Sequence, residues 1–336
     1  MPRHLIQIGL GLSVHFRGSV VATVGAIVRI RTLGLFLLVL ALLVSACSDS
    51  DSDDNADDGD TTTTASEASD TTVAEDSRNT PPGNAVGTPD CPAVPLKQEG
   101  VLTVATGEAV YPPWMEDDNP GSGDGFESAL VYEIAGQLGL SEVVWVRTGF
   151  DEAITAGKKD YDFNIQQYSI TEDRDKVVDF SDPYYTVQQA LIGVADGPLT
   201  DAKTIAELAD SQLGAAVGST SLDYIDKIIA PKEEAMVYDD NAAAAAAFAA
   251  KQVDGIVVDL PTAYYLTSGE IPDSTIIGTL PEVEDKPEQL GMLFEEGSPL
   301  VPCVNAALDE LTSDGQLDLL QTRWLAQDGA IPEITQ

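Results

Sequence analysis

Basic residues are scarce in this chain: 17 lysines and arginines stand against 56 aspartates and glutamates over 336 residues. A phosphate backbone demands a basic surface, so this balance excludes nucleic-acid binding. Histidine is scarcer still. The two present, His4 and His15, both fall near the N-terminus. The remainder has no imidazole for a metal centre or a Ser/His/Asp triad, and no other metal-ligand cluster stands out. Neither a metal nor a cofactor is expected, and no catalytic residue is assigned. Cysteine occurs three times, as Cys47, Cys91 and Cys303. One long apolar run lies near the N-terminus, and no second membrane-spanning run follows it. What is present suffices for two ordinary domains plus extensions.

The first 46 residues contain no acid and four arginines, Arg3, Arg17, Arg29 and Arg31. The apolar run Leu33–Val44 follows Arg31 and ends in Val44-Ser45-Ala46-Cys47. A charged region, an apolar core and small residues before a cysteine read as a bacterial lipoprotein leader over 1–46, with Cys47 lipidated as the new N-terminus. An uncleaved membrane helix is the competing reading, and the short apolar core weighs against it. Residues 1–27 are unusual for a leader, which points to a translation start near Val28. The mature chain would then lie on the outer face of the cell membrane, where a disulfide persists. Cys91 and Cys303 are expected to pair, tying the start of the folded body to its C-terminal segment.

Residues 47–97 read as a tether. Between 48 and 90 the chain is rich in Ser, Thr, Asp, Gly and Pro, with twelve acids and one basic residue, Arg78. Such a segment buries too little apolar surface to offset its ordering entropy. It would hold the body away from the membrane.

From about Gly100 strands and helices alternate. Strands are expected at Val101–Ala105, Val143–Arg147, Asp162–Gln166, Gln188–Ala195, Leu213–Val217, Gly255–Asp259 and Leu290–Phe294. Helices are expected at Glu127–Leu138, Asp151–Ala156, Ser219–Ile229, Asn241–Lys251, Pro261–Leu266, Val301–Ser313 and Gly315–Ala326. Thr204 and Glu207 have the spacing of a capping box. Repeated strand–helix units imply an α/β protein with mainly parallel sheets flanked by helices. In such sheets ligands gather beyond the carboxyl ends of strands. Glu108–Trp114, Gln166–Arg174, Gly218–Ser221 and Asp259 all directly follow strands.

The most informative stretch runs from Asp162 to Arg174. It reads as a buried strand, a polar turn and a short helix opening on an arginine. Ser169 or Thr171 hydroxyls and turn carbonyls suit an ammonium, and Arg174 can fork onto a carboxylate. Together they suit a small zwitterion.

Several segments, in order, carry a resemblance: Tyr111-Pro112-Pro113-Trp114, Gly125-Phe126, Phe150-Asp151, Ser169-Ile170-Thr171 with Arg174, Asp179-Phe180-Ser181-Asp182-Pro183-Tyr184, Val217-Gly218-Ser219-Thr220, Asp254 with Val258-Asp259-Leu260-Pro261, and Asp314-Gly315 before Trp324. The set resembles the amino-acid-binding branch of the periplasmic solute-binding proteins of ABC transporters, family 3 of the type 2 fold, in its lipoprotein form. It covers about residues 98–327. The resemblance implies two lobes joined by two hinge crossovers, lobe one from 98–187 plus 286–336 and lobe two from 188–285. It also implies a monomer that closes on an amino acid and is read by an ABC permease.

Carried onto this chain, Arg174 would pair with the ligand α-carboxylate, joined by Thr220 and the amides of Ser219 and Thr220. Asp259 would accept the α-ammonium with Ser169 and the Gln167 carbonyl. Tyr111 and Trp114 would cover the ligand, Phe150 would line its side-chain end, and Glu108 would touch its side chain. N-capping by the Ser219-Thr220 pair, capping by Asp259, core packing of Trp114 and plain solvation of Glu108 are the alternatives. Gln166-Gln167-Tyr168 replaces the small and apolar residues usual before the Ser-Ile-Thr element, and Glu172 replaces a frequent proline. Two amides and a phenol beside the site point to a polar ligand side chain, neutral or basic. Two other functions stay open: a dehydratase-like enzyme on the same scaffold through Glu108 or Asp259, and an extracellular sensor acting through a partner.

Overall fold

The computed structural model describes residues 95–283, 286–327 and 329–336. The leader, Cys47, Cys91 and most of the tether lie outside the described residues. Among those described, no helix is long and apolar enough to cross a membrane.

In chain order the elements are β1 (Leu102–Gly107), α1 (Phe126–Gln137), β2 (Val143–Thr148), α2 (Phe150–Ile154), β3 (Phe163–Asn164), β4 (Val178–Phe180), β5 (Tyr185–Val187) and β6 (Gln189–Val194). Then follow β7 (Leu213–Ala216), α3 (Thr220–Tyr224), β8 (Met236–Tyr238), α4 (Asn241–Ala249), β9 (Gly255–Asp259), α5 (Leu260–Tyr265), β10 (Ser274–Thr279), β11 (Glu288–Leu290), β12 (Leu293–Glu295), α6 (Val301–Ser313) and α7 (Gln316–Leu325). Single 3₁₀ turns stand at Arg174–Lys176 and Ile205–Leu208. The second opens on the expected capping box of Thr204 and Glu207.

The strands form two five-stranded sheets, ordered β2-β1-β3-β12-β4 and β10-β6-β9-β7-β8. Both are mixed, which corrects the expectation of mainly parallel sheets. β1 pairs in parallel with β2 and β3, whereas β12 runs antiparallel to β3 and β4. In the second sheet β7 is parallel to β8 and β9, and β6 is antiparallel to β9 and β10. The cause lies in the connections. The chain leaves the first sheet through β5 and returns through β11, and these two strands pair antiparallel to each other, Val187 opposite Glu288. The strand that follows each crossing, β6 or β12, enters its sheet against the grain.

Alternation within the central strands of the second sheet builds two cores. Leu191 and Val257 face one layer with Leu213, Ile225 and Ile277. Ala190, Ile192, Ile256 and Val258 face the other, under Ala244 and Phe248 of α4. Strands buried on both faces read as continuous apolar runs, as these do. The alanines of α4 let that helix lie close to the sheet, and Asp240 caps its start by accepting from the Ala243 amide at 2.7 Å. In the first sheet the core gathers Leu102, Val104, Phe126, Phe163 and Phe294 with Cys303 and Val304 of α6. The C-terminal tail departs from its expected lobe: Glu333 bridges to Thr279, Thr335 to Thr204, and Ile334 packs into the second sheet's core. The apolar Ile334 is fully buried there.

Candidate ligand-binding cleft

The loop after β3 turns sharply because Gln167 adopts φ +53°. For a residue with a Cβ this left-handed conformation costs about 1–2 kcal/mol. Glu127, the second residue of α1 and fully buried, compensates. Its carboxylate accepts from the Gln167 backbone N–H at 2.8 Å, from the Gln167 side-chain amide, and from the Tyr184 hydroxyl at 2.5 Å. Burial pushes the Glu127 carboxyl up to about 7 against the pull of those three donors. Past the turn, residues 168–170 run beside β11: Ile170 N–H donates to the Gln289 carbonyl at 2.8 Å, and Gly291 N–H to that of Tyr168 at 2.9 Å.

This loop forms one wall of a cavity between the two sheets. Tyr111, Trp114, Phe150, Gln167 and Ser169 face Ser219, Thr220 and Asp259 across it. Eight of the residues expected at the site are therefore brought together. The two sides also touch. Trp114 Nε1 donates to Thr262 Oγ1 at 2.9 Å, Asn241 Nδ2 donates to the Tyr111 hydroxyl at 3.0 Å, and Tyr111 stacks on Tyr265 with centroids 5.8 Å apart.

Arg174 lies just behind the cavity rather than on its surface. Its guanidinium donates to the Ser169 carbonyl at 2.7 Å and to the Gly218 carbonyl at 2.9 Å, so it spans the two sides. It also sits 5.5 Å from the Phe150 ring centroid. Tyr168 does not open into the cavity. It is fully buried, its ring stacks on Phe150 at 4.6 Å, and its hydroxyl donates to Gln166 Oε1 at 3.0 Å. Glu108 is corrected: it is exposed in the loop after β1 and does not line the cavity, although its neighbours Ala109 and Val110 do. The strand ends at Gly107, and Glu108 falls in the exposed bend that follows.

The capping alternatives resolve residue by residue. Ser219 is a true cap, accepting from Leu222 N–H at 3.1 Å and donating to the Ala216 carbonyl at 2.7 Å. Asp259 precedes α5 without capping it. Its Oδ1 accepts instead from Gln189 Nε2 at 2.7 Å. Thr220 Oγ1 donates to Glu288 Oε1 at 2.6 Å, and Ser169 Oγ donates to the same oxygen at 2.5 Å. Burial first, and the nearby Glu288 charge second, hold the Asp259 carboxyl well above the usual carboxylate range.

Glu127, Gln189 and Glu288 escaped the sequence reading. Glu127 follows the quoted Gly125-Phe126 pair directly, a signal available but read only as a helix start. Glu288 sits in a Pro- and Glu-rich stretch with nothing local to single it out. Chemically, the cleft offers converging hydroxyls and carboxylates, flat aromatic walls and one buried arginine. This is equipment for holding a small polar cation or zwitterion.

Known proteins bear on that reading. The L-cystine-binding protein TcyJ of Escherichia coli K12 is 26% identical over 234 residues, covering 69% of this chain and 85% of TcyJ. The ABC transporter glutamine-binding protein GlnH of Bacillus subtilis is 27% identical over 221 residues, covering 63% of this chain and 77% of GlnH. Among solved structures, the ancestral amino acid-binding protein AncCDT-1, a precursor of cyclohexadienyl dehydratase, superposes with a TM-score of 0.57 at 30% identity, covering 68% of this chain and 96% of that one. The architecture is the type 2 periplasmic-binding-protein fold. Residues 102–327, most of the body, match the bacterial extracellular solute-binding proteins, family 3, and the chain belongs to that family.

Proposed function

We propose that this protein captures a polar α-amino acid, neutral or basic, in the cleft and delivers it to an ABC permease. One observation carries this: Ser169, Thr220, Asp259, Tyr111 and Trp114, drawn from both sheets, meet around a single cavity, with Arg174 spanning its two sides. Asp259 and its partners take the ammonium, the aromatic walls cover the ligand, and Arg174 with the start of α3 favours the carboxylate. Asp240 beside the cavity and Glu288 behind it give the surroundings an acidic excess, which disfavours an acidic ligand.

The two halves act as lobes that close by hinge motion about β5 and β11. Lobe one comprises 98–187 plus 286 to about 331, and lobe two 188–285 with the tail docked on it. The protein works as a monomer on the outer face of the cell membrane, held by lipid on Cys47 through the acidic tether. Several acyl chains would make that attachment stable. Cys303, buried in α6, is disulfide-bonded, which supports pairing with Cys91.

Calorimetric screening against the amino acids tests the function. Binding at micromolar Kd or tighter, about −8 kcal/mol, without turnover is expected. No binding to any α-amino acid overturns it. Arg174→Ala is expected to abolish binding of every ligand, since it removes a buried charge and leaves two carbonyls across the cleft unbridged. Retained affinity would remove Arg174 from the site.

A further inference from the structure

Glu288 does not line the ligand cavity. It lines a second cavity of about 290 Å³ behind the floor, with Lys227, Asp223, Glu282 and Lys286 around it. From there one of its oxygens collects the protons of two hydroxyls, Ser169 at 2.5 Å and Thr220 at 2.6 Å. Its other oxygen accepts from Gln189 Nε2 at 2.9 Å, the same nitrogen that donates to Asp259 at 2.7 Å. The Gln189 amide is held this way round because its nitrogen faces two carboxylate oxygens, and Ser221 Oγ donates to its oxygen at 2.6 Å.

A hydroxyl carries one proton. The two hydroxyl oxygens are themselves 3.2 Å apart, so each proton goes either to Glu288 or to the other hydroxyl, and with Glu288 taking at least one of them both oxygens keep only lone pairs for a ligand. They were expected to serve opposite ends of the amino acid, Ser169 the ammonium and Thr220 the carboxylate. We propose that Glu288 is a positioning residue that fixes both hydroxyls as acceptors and, through Gln189, joins them to Asp259 in one floor selective for the ligand's ammonium. This rests on the amino-acid reading above and sharpens it: Thr220 reads the amine, and the carboxylate is left to backbone amides and to the positive charge of Arg174 behind the wall.

Proton release follows. Asp259 is held in its protonated form by burial and by the Glu288 charge, against the pull of Gln189 and Arg174, with Glu127 adding to the rise. Tyr111, Tyr184 and Tyr185 also feel its charge. An arriving ammonium displaces that proton, so affinity rises with pH above the ordinary carboxylate range until Asp259 is ionised in the free protein.

The test pairs whichever of L-arginine, L-glutamine and L-histidine binds with its desamino acid, in which hydrogen replaces the ammonium. Calorimetry in buffers of differing ionisation enthalpy gives both Kd and protons released. Thr220→Val is expected to weaken the amino acid about 10-fold or more and leave the desamino acid nearly unchanged. Glu288→Gln is expected to narrow the preference for the amine similarly and to reduce the protons released. If Thr220→Val weakens both ligands equally, Thr220 donates to the carboxylate and the inference fails. It also fails if Glu288→Gln leaves selectivity and proton count as in the wild type. If neither these three nor any other α-amino acid in the calorimetric screen binds the wild type, the amino-acid reading itself falls and takes this inference with it; if another one binds, it and its desamino acid take the place of the three.

Discussion

Replacing Glu127 by glutamine should make the protein's stability less dependent on pH, by an amount the structure sets. The carboxyl is fully buried and pushed from 4.5 to about 7. A folded-state pKa above the unfolded one means that the native protein holds the proton more tightly. Its contribution to stability is complete below about pH 4.5 and is lost as pH rises to about 7. At about 1.4 kcal/mol per unit the whole loss is roughly 3 kcal/mol, of which about 2.5 kcal/mol falls between about pH 5 and about pH 8. Glutamine keeps one oxygen for the Gln167 N–H and the Tyr184 hydroxyl, and the Gln167 amide can turn over to accept from the new amide. Urea unfolding of wild type and Glu127→Gln at both pH values gives the difference directly. Groups away from Glu127 cancel in it: Asp173, Glu207 and Glu295, all lowered, are common to both proteins, while Asp259 cancels except for the small part of its rise that the Glu127 charge supplies. Parallel pH profiles for the two proteins would refute the reasoning.

Two further changes test the frame of the site. Gly125→Ala places a Cβ 2.5 Å from Met115 Cα and the Trp114 carbonyl, at φ +95°. It should cost about 3 kcal/mol or more in denaturant unfolding, and a smaller loss would show that the α1 junction yields. Trp114→Phe keeps an aromatic ring in the wall but removes the donor to Thr262 and leaves a small void, and should weaken ligand binding about fivefold or more by calorimetry. An unchanged Kd would show that this contact adds nothing to the bound form.

Much of this was legible in the sequence, because the signals were local. Buried strands such as Leu213–Ala216 and Gly255–Asp259 appear as short apolar runs, and the turn from Ser169 to Arg174 announces itself by residue type. The mixed sheets were not legible. The direction of β6 and β12 depends on where β5 and β11 cross, and nothing within either strand encodes it. The tail was likewise silent, since Ile334 is one apolar residue whose destination is set by distant neighbours. Glu108 shows the opposite error: a suggestive residue type at a suggestive place, turned outward. Glu288 escaped because its partners, Ser169, Thr220 and Gln189, come from three separate segments.

The clasp made by Arg174 has an evolutionary consequence. Its two acceptors are main-chain carbonyls, those of Ser169 and Gly218. Every amino acid carries the same carbonyl, so no substitution at either position deletes an acceptor. The side chains that read the ligand can therefore change without dismantling the joint across the cleft. A lineage built this way can wander from one ligand to another by exchanging wall residues, and each intermediate still has a working way to shut.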